Sequence, residues 1–207
     1  MTEITRDHLD WTIVGRMRVM LLNPKDSFEI SETYALFTAI LCWVMQHTRI
    51  KPKYAVRSAD KAALALFGKL AKKNVLHEDW RFPAEGVERI VFRSGCRIAL
   101  PKSVNFENQN VADALIGLRN ATAHGDMRNI EPINVGGSLV GFTFSCARFY
   151  EEGGKRRKWK GQITLLEDDM QRIGGELARR YCNAIREAHS RDSNFGSAAK
   201  SIVEEAA

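Results

Sequence analysis

The chain has 207 residues, of which 44% are hydrophobic and 27% charged, and its net charge is +6 with a pI near 9.2. A chain of this length and composition is typical of one globular domain, which excludes a disordered or fibrous protein. The mildly basic charge balance permits RNA binding but does not establish it.

Targeting and redox signals indicate the cytoplasm. The longest apolar run, Ala35–Met45, is too short to cross a bilayer, and the charged N-terminus lacks the apolar region of a signal peptide. The cysteines Cys42, Cys96, Cys146 and Cys182 lie far apart in the sequence and have no zinc-binding spacing. We expect reduced thiols, no metal and no cofactor.

Helical periodicity dominates the first part of the chain. Apolar residues recur at intervals of three and four over residues 6–22, 28–48 and 59–74, which predicts three amphipathic helices. The second has the widest apolar stripe and is expected at the centre of the core. Ser58 is the expected N-cap of the third.

Residues 75–107 give the weakest pattern. The spacing of Val87, Ile90 and Val91 indicates a short helix between Ala84 and Phe92. The polar residues that follow lead into a further helix.

That further helix is predicted from an apolar stripe of Val111, Ala114, Leu115, Leu118 and Ala121 or Thr122. Asn108 or Asn110 is the expected N-cap, and Gly125 suits the position just after the last turn. The helix therefore ends within the run Arg119–Asp126.

This run places an arginine, an amide and a histidine close together as Arg119, Asn120 and His124. All three groups are useful in phosphate chemistry. The pattern Arg119-Asn120-x-x-x-His124, followed by Gly125, resembles the R-x4-H signature of the HEPN superfamily, whose members are small α-helical domains and often RNases. We extend the resemblance over roughly residues 30–190, although the motif itself covers only 119–125.

The resemblance implies a metal-independent endoribonuclease in which two protomers form one composite site. Arg119 would neutralise the phosphate, His124 would be the general base or acid, and Asn120 would orient His124 or bind the phosphate. The expected partners are RNA, a second copy of the chain, and an antitoxin or regulatory protein. A role as a toxin or in antiviral defence is implied in the same way.

An alternative interpretation needs no catalysis. Arg119 and His124 near a helix C-terminus are favoured by the helix dipole alone. The protein would then be a non-catalytic module that binds RNA or a nucleotide, or that dimerises. Asp126 likewise has two interpretations, since it can orient His124 or simply cap the turn.

The last part of the chain changes its pattern. Alternation predicts two strands, 139–149 and 158–166, joined by a turn at 151–154 into a β-hairpin. Residues 167–190 then have the stripe of a long C-terminal helix, and 191–207 form a polar tail. We therefore predict a mainly α fold: a HEPN-like helical bundle over residues 1–190, with the hairpin at about 139–166 before the last helix.

The tip of this hairpin combines basic and aromatic residues. Basic groups can follow phosphates while rings stack on bases, as single-stranded RNA requires. The alternative is an edge hairpin that charge protects from aggregation. The predicted RNA-binding residues are Lys155, Arg156, Arg157, Lys158 and Trp159.

Overall fold

The structure is a computed structural model that describes residues 9–23, 29–93, 95–123 and 129–191. Within these ranges the chain forms five α-helices and five β-strands. In chain order they are α1 Leu9–Leu22, α2 Glu29–His47, α3 Ser58–Leu70, β1 Ile90–Arg93, β2 Cys96–Ala99, α4 Val111–Ala123, β3 Ile130–Val135, β4 Ser138–Glu152, β5 Lys155–Leu166 and α5 Glu167–Arg191.

The prediction of a mainly α helical bundle is wrong. The described residues form two antiparallel sheets beside the helices, one of β1 and β2 and the other in the order β3-β4-β5. The fold is therefore mixed α and β. The sequence patterns underestimated the sheets because β1, β2 and β3 are short strands that depend on pairing with other segments.

The long helices form where periodicity predicted them, with small differences at α3. This helix ends at Leu70 instead of residue 74, and Arg57 rather than Ser58 is its N-cap. The N–H groups of Lys72 and Lys73 bond to carbonyls three residues back, which tightens the turn. The carbonyl of Lys73 is then free to accept the N–H of Val111 at 2.8 Å.

The short helix predicted between Ala84 and Phe92 is also wrong. Part of it is strand β1, which pairs with β2 from Ile90 opposite Ala99 to Arg93 opposite Cys96. A run of β-branched and aromatic residues favours a strand, and Gly95 in the connecting turn has a φ of +76°.

The β4–β5 hairpin is confirmed and is longer than predicted. Gly153 and Gly154 form its two-residue turn with φ values of +56° and +74°, and this double positive φ suits a type I′ turn. Strand β3, which the sequence did not reveal, pairs with the first half of β4 and begins opposite Phe144. From Ser145 onward, β4 has β5 as its only strand partner among the described residues.

Helix α5 packs against α1, α2 and α3, and β4 packs across α4. The main core draws on all five helices and on β4 and β5. A smaller cluster of Leu100, Ile133, Val135 and Val140 lies between the two sheets. No described helix has the length and apolar character needed to cross a membrane. The predicted tail is 191–207; Arg191 is the last residue of α5, and residues 192–207 lie outside the described residues.

Candidate functional site

Helix α4 carries the first two residues of the motif. Asn110 is its N-cap, as predicted, because its Oδ1 accepts the backbone N–H of Asp113 at 2.9 Å. The apolar stripe of α4 is buried in the core. Arg119 and Asn120 are only partly buried and face α2 and β4, as their hydrogen bonds show.

Arg119 and Asn120 are bonded to each other and to neighbouring elements. Arg119 donates from Nη1 to Asn120 Oδ1 at 3.2 Å and from Nη2 to Gln46 Oε1, near the end of α2, at 3.0 Å. Asn120 donates from Nδ2 to the carbonyl of Ala147 on β4 at 3.5 Å. The pair therefore connects α2 through α4 to the sheet.

The remaining motif residues His124, Gly125 and Asp126 lie outside the described residues. In sequence they fall between Ala123, the last residue of α4, and Asn129, the residue before β3. Their predicted roles therefore stay predictions.

A buried polar cluster fixes the end of α2 that presents Gln46. The next residue, His47, has its Nδ1 atom 2.6 Å from the hydroxyl of Tyr181 and its Nε2 atom 3.0 Å from Asp60 Oδ1. A proton on Nε2 satisfies both contacts, since the ring then donates to Asp60 and accepts from Tyr181. Hydrogen bonds from Arg57, outweighing burial and helped by His47, lower the pKa of Asp60 to about 2.

A cleft of about 250 Å³ opens between the C-terminal half of α4 and the edge of β4 beyond Phe144, which pairs with no other strand among the described residues. We call it the α4–arm cleft. Its wall is mixed, with amides, a hydroxyl, basic groups and one aromatic ring. The lining residues are Asn120, Ala121, Asn129, Ser145, Ala147, Arg148, Phe149 and Lys158.

The end of the β4–β5 hairpin, Arg148–Lys160, forms an arm. The basic side chains Lys155, Arg156, Arg157 and Lys158 are all exposed on it, as an RNA-binding role requires. Phe149 lies directly opposite Lys158 and is 57% exposed. The charged ends of Arg156 and Lys158 lie 4.1 and 5.6 Å from the centre of the Phe149 ring, within the range of cation–π attraction.

Trp159 lies on the opposite face of the arm from Phe149, Arg156 and Lys158. Its indole N–H donates to the carbonyl of Asn105 at 3.1 Å, and its ring meets Phe106 edge-on at 5.3 Å. Gly117 and Gly161 leave the room that this ring occupies, since a Cβ atom on Gly161 would lie only 2.5 Å from it. The structure therefore places Trp159 against the body of the protein and Phe149 outward.

The sequence contained a signal for this distinction. Residues that alternate along a strand share a face. Buried Phe144 and Cys146 on β4, and buried Ile163 on β5, therefore indicate the inward face. Trp159 shares the parity of Ile163, whereas Phe149 does not share that of Phe144.

Arg148 holds the arm against α4. Its Nη2 atom lies 2.8 Å from Asp113 Oδ2 and donates to Gln109 Oε1 at 2.9 Å. Its guanidinium also lies 5.6 Å from the ring of Tyr150 and 5.8 Å from that of Trp159. Arg148 thus fixes the arm, which forms one wall of the α4–arm cleft, to the first turn of α4, which forms the other wall.

Burial makes two of the four thiols poor nucleophiles. Burial raises the pKa of Cys146, under the arm, far above its usual range, and raises that of Cys182 to about 11. Cys42 is partly buried and contacts Thr122, while Cys96 on β2 is exposed. In the described part of the chain, His, Cys, Asp and Glu side chains form no group that could hold a metal ion.

Comparisons of the chain with protein-family models, with curated proteins and with solved structures give no match. The HEPN resemblance therefore depends on the motif residues alone.

Proposed function

We propose that this protein is a metal-independent endoribonuclease that uses the HEPN-type motif at the end of α4. The observation that carries the proposal is the α4–arm cleft. Asn120, bonded to Arg119, lies on one wall, and the basic residues Arg148 and Lys158 lie on the other. A phosphate chain following the arm would pass the motif.

The proposed reaction needs the 2′-hydroxyl of RNA. That oxygen attacks the adjacent phosphorus, the bond to the 5′-oxygen breaks, and the products end in a 2′,3′-cyclic phosphate and a 5′-hydroxyl. His124 takes the proton from the 2′-hydroxyl or gives one to the leaving 5′-oxygen, because an imidazole ordinarily exchanges its proton near neutral pH.

Arg119 would stabilise the charge that builds on the phosphate oxygens. Its hydrogen bonds to described residues, Gln46 and Asn120, use two of the five N–H donors of a guanidinium, so within the described part of the chain the group is oriented and retains donors for phosphate. Asn120 holds Arg119 in the structure. In the reaction, Asn120 would orient His124 or bind the phosphate itself.

We further propose that two copies of the chain form the active unit, so that the two motifs share one site. Trp43, 37% exposed and one turn before Gln46 on α2, would supply an apolar surface for this contact, and Gln46 is the residue that Arg119 bonds. The activity would belong to the cytoplasm, in a toxin or antiviral system with an antitoxin or regulatory partner.

The test is cleavage of labelled RNA and matching DNA by the purified protein in EDTA. We expect wild-type protein and a His77→Ala control to yield cyclic-phosphate ends from RNA and to leave DNA intact. His124→Ala should lose the activity. Cleavage that depends on added metal, or that survives in His124→Ala, would refute the proposed mechanism.

One observation favours the alternative, a non-catalytic module for RNA or nucleotide binding or for dimerisation. Arg119 already joins α2 to α4 through Gln46 and Asn120, which is what a structural arginine would do. In that case Arg119→Ala would lower stability or dimerisation, and wild-type protein would bind RNA without cutting it.

A further inference from the structure

Phe149 and the α4–arm cleft belong to one surface. The ring of Phe149 and the side chain of Lys158 line the cleft and share the outer face of the arm, because the two residues are opposite each other in the strand pair. Phe149 is 57% exposed, and the charged ends of Arg156 and Lys158 lie over its ring, 4.1 and 5.6 Å from the ring centre. An exposed ring with cations close to it can stack on a base whose phosphates those cations bind.

The cleft beside this ring is small, and its wall mixes polar and apolar groups. Binding sites for small molecules have volumes of about 300–1,000 Å³, so a cleft of about 250 Å³ suits a single unit of a polymer. Its lining includes the amides of Asn120 and Asn129 and the hydroxyl of Ser145. These groups can donate to and accept from the edge of a base.

From this arrangement we infer that the cleft and Phe149 bind one unpaired nucleotide of single-stranded RNA. The base stacks on the ring of Phe149 with its edge towards Asn120 and Asn129, and Arg156 and Lys158 hold the flanking phosphates. The inference rests on the proposed function, because it names the form of RNA that this site accepts. Trp159, packed against Gly117, takes no part in the stacking.

Duplex RNA does not fit this arrangement. Its bases are stacked on one another inside the helix, and its major groove is too deep and narrow for side chains to enter. A paired base therefore offers no free face to Phe149. The preference for unpaired RNA is a property of the ring, while the basic residues attract both forms.

The test uses fluorescence anisotropy with full-length His124→Ala protein, in which the proposed cleavage is removed. The probes are a labelled unstructured oligoribonucleotide and the same strand in a duplex. We expect the single strand to bind more tightly. Phe149→Ala should weaken its binding by about 5- to 150-fold, as expected for one lost base stack, while Phe149→Trp should keep the affinity.

Tyr54→Ala is the matched control. Tyr54 is 56% exposed and has Lys53 4.8 Å from its ring centre, yet it does not line the cleft. Introduced into the His124→Ala protein, which is the parent of all the binding variants, Tyr54→Ala should leave RNA binding unchanged. If the parent binds RNA but Phe149→Ala binds equally well, or the duplex binds as tightly as the single strand, the inference is wrong and the proposed function stands. If neither parent nor wild-type protein binds or cuts RNA, both fail.

Discussion

Gly117 on α4 and the side chain of Trp159 on β5 are in contact, and a Cβ atom on Gly117 would lie 3.1 Å from Cζ3 of the indole ring. The same Cβ atom would lie 3.1 Å from the Cβ of Cys146. The absence of a side chain at this point of the helix lets the arm lie close across α4. The α4–arm cleft depends on that close approach.

Replacing Gly117 with alanine should therefore destabilise the fold. The ring of Trp159 cannot easily move away, because Asn105 holds its N–H and Gly161 lies against its other side. We expect Gly117→Ala to lose about 1–3 kcal/mol of unfolding free energy through overpacking, despite the better helix propensity of alanine. Urea denaturation measures the loss.

Gly68 provides the control for this substitution. It lies in α3, and a Cβ atom there would meet nothing within 4 Å. Gly68→Ala should stabilise the protein by about 0.5–1 kcal/mol, since only helix propensity changes. A stabilising Gly117→Ala would show that the arm does not pack on α4 as described.

Asp60 should make stability depend on pH. Its folded-state pKa of about 2 lies below the ordinary value of 3.8, so its ionised form stabilises the fold above about pH 4. The contribution, about 2 kcal/mol at pH 7, is lost as the pH falls towards 2. Asp60→Asn should remove it.

Urea denaturation at pH 7 and pH 3 tests this prediction. The stability gap between wild-type protein and Asp60→Asn should shrink by about half at pH 3. Glu78→Gln, at an exposed site, should show no such change. A gap of equal size at both pH values would mean that Asp60 titrates as an ordinary carboxyl.

Lys158 should contribute to RNA binding through charge. Removing one phosphate contact to a single strand lowers the slope of log affinity against log salt by roughly 0.7. We expect this decrease for Lys158→Ala, together with weaker binding of every sequence. Lys61→Ala, at an exposed lysine on α3, should leave slope and affinity unchanged. If Lys158→Ala and Lys61→Ala have the same salt slope, the phosphates of the bound RNA do not contact Lys158 on the arm.

The helices and the turn that the sequence predicted well are those whose signals lie within one short stretch of the chain. Periodicity and capping located α2, α4 and α5, and a glycine pair located the turn of the long hairpin. Strand β3 escaped because Pro132 and Glu131 interrupt any alternation, and its state is set by pairing with β4. The error in fold class follows from such non-local pairing, which no window of sequence contains.

At the candidate site, too, features set by local sequence were predicted, and contacts between distant segments were not. The motif placed Arg119 and Asn120 on a helix end correctly, and the run of basic residues located the arm. Which aromatic residue faces outward depends on strand parity, and the predicted RNA-binding set contained Trp159 but not Phe149. Neither the contact of Arg119 with Gln46 nor that of Asn120 with β4 could be predicted, because both join segments distant in sequence.

The way the arm is attached has a consequence for the order of folding. Its turn and strand pairing are local, whereas its links to the body join residues far apart, 39 positions for Arg148 with Gln109 and 54 for Trp159 with Asn105. Contacts between distant positions form slowly, because a long loop must close first. We therefore expect the hairpin to form early and to dock late. An incompletely folded chain would carry the charges of the arm without the cleft, and a change in Trp159 fluorescence would mark the moment at which the binding surface is complete.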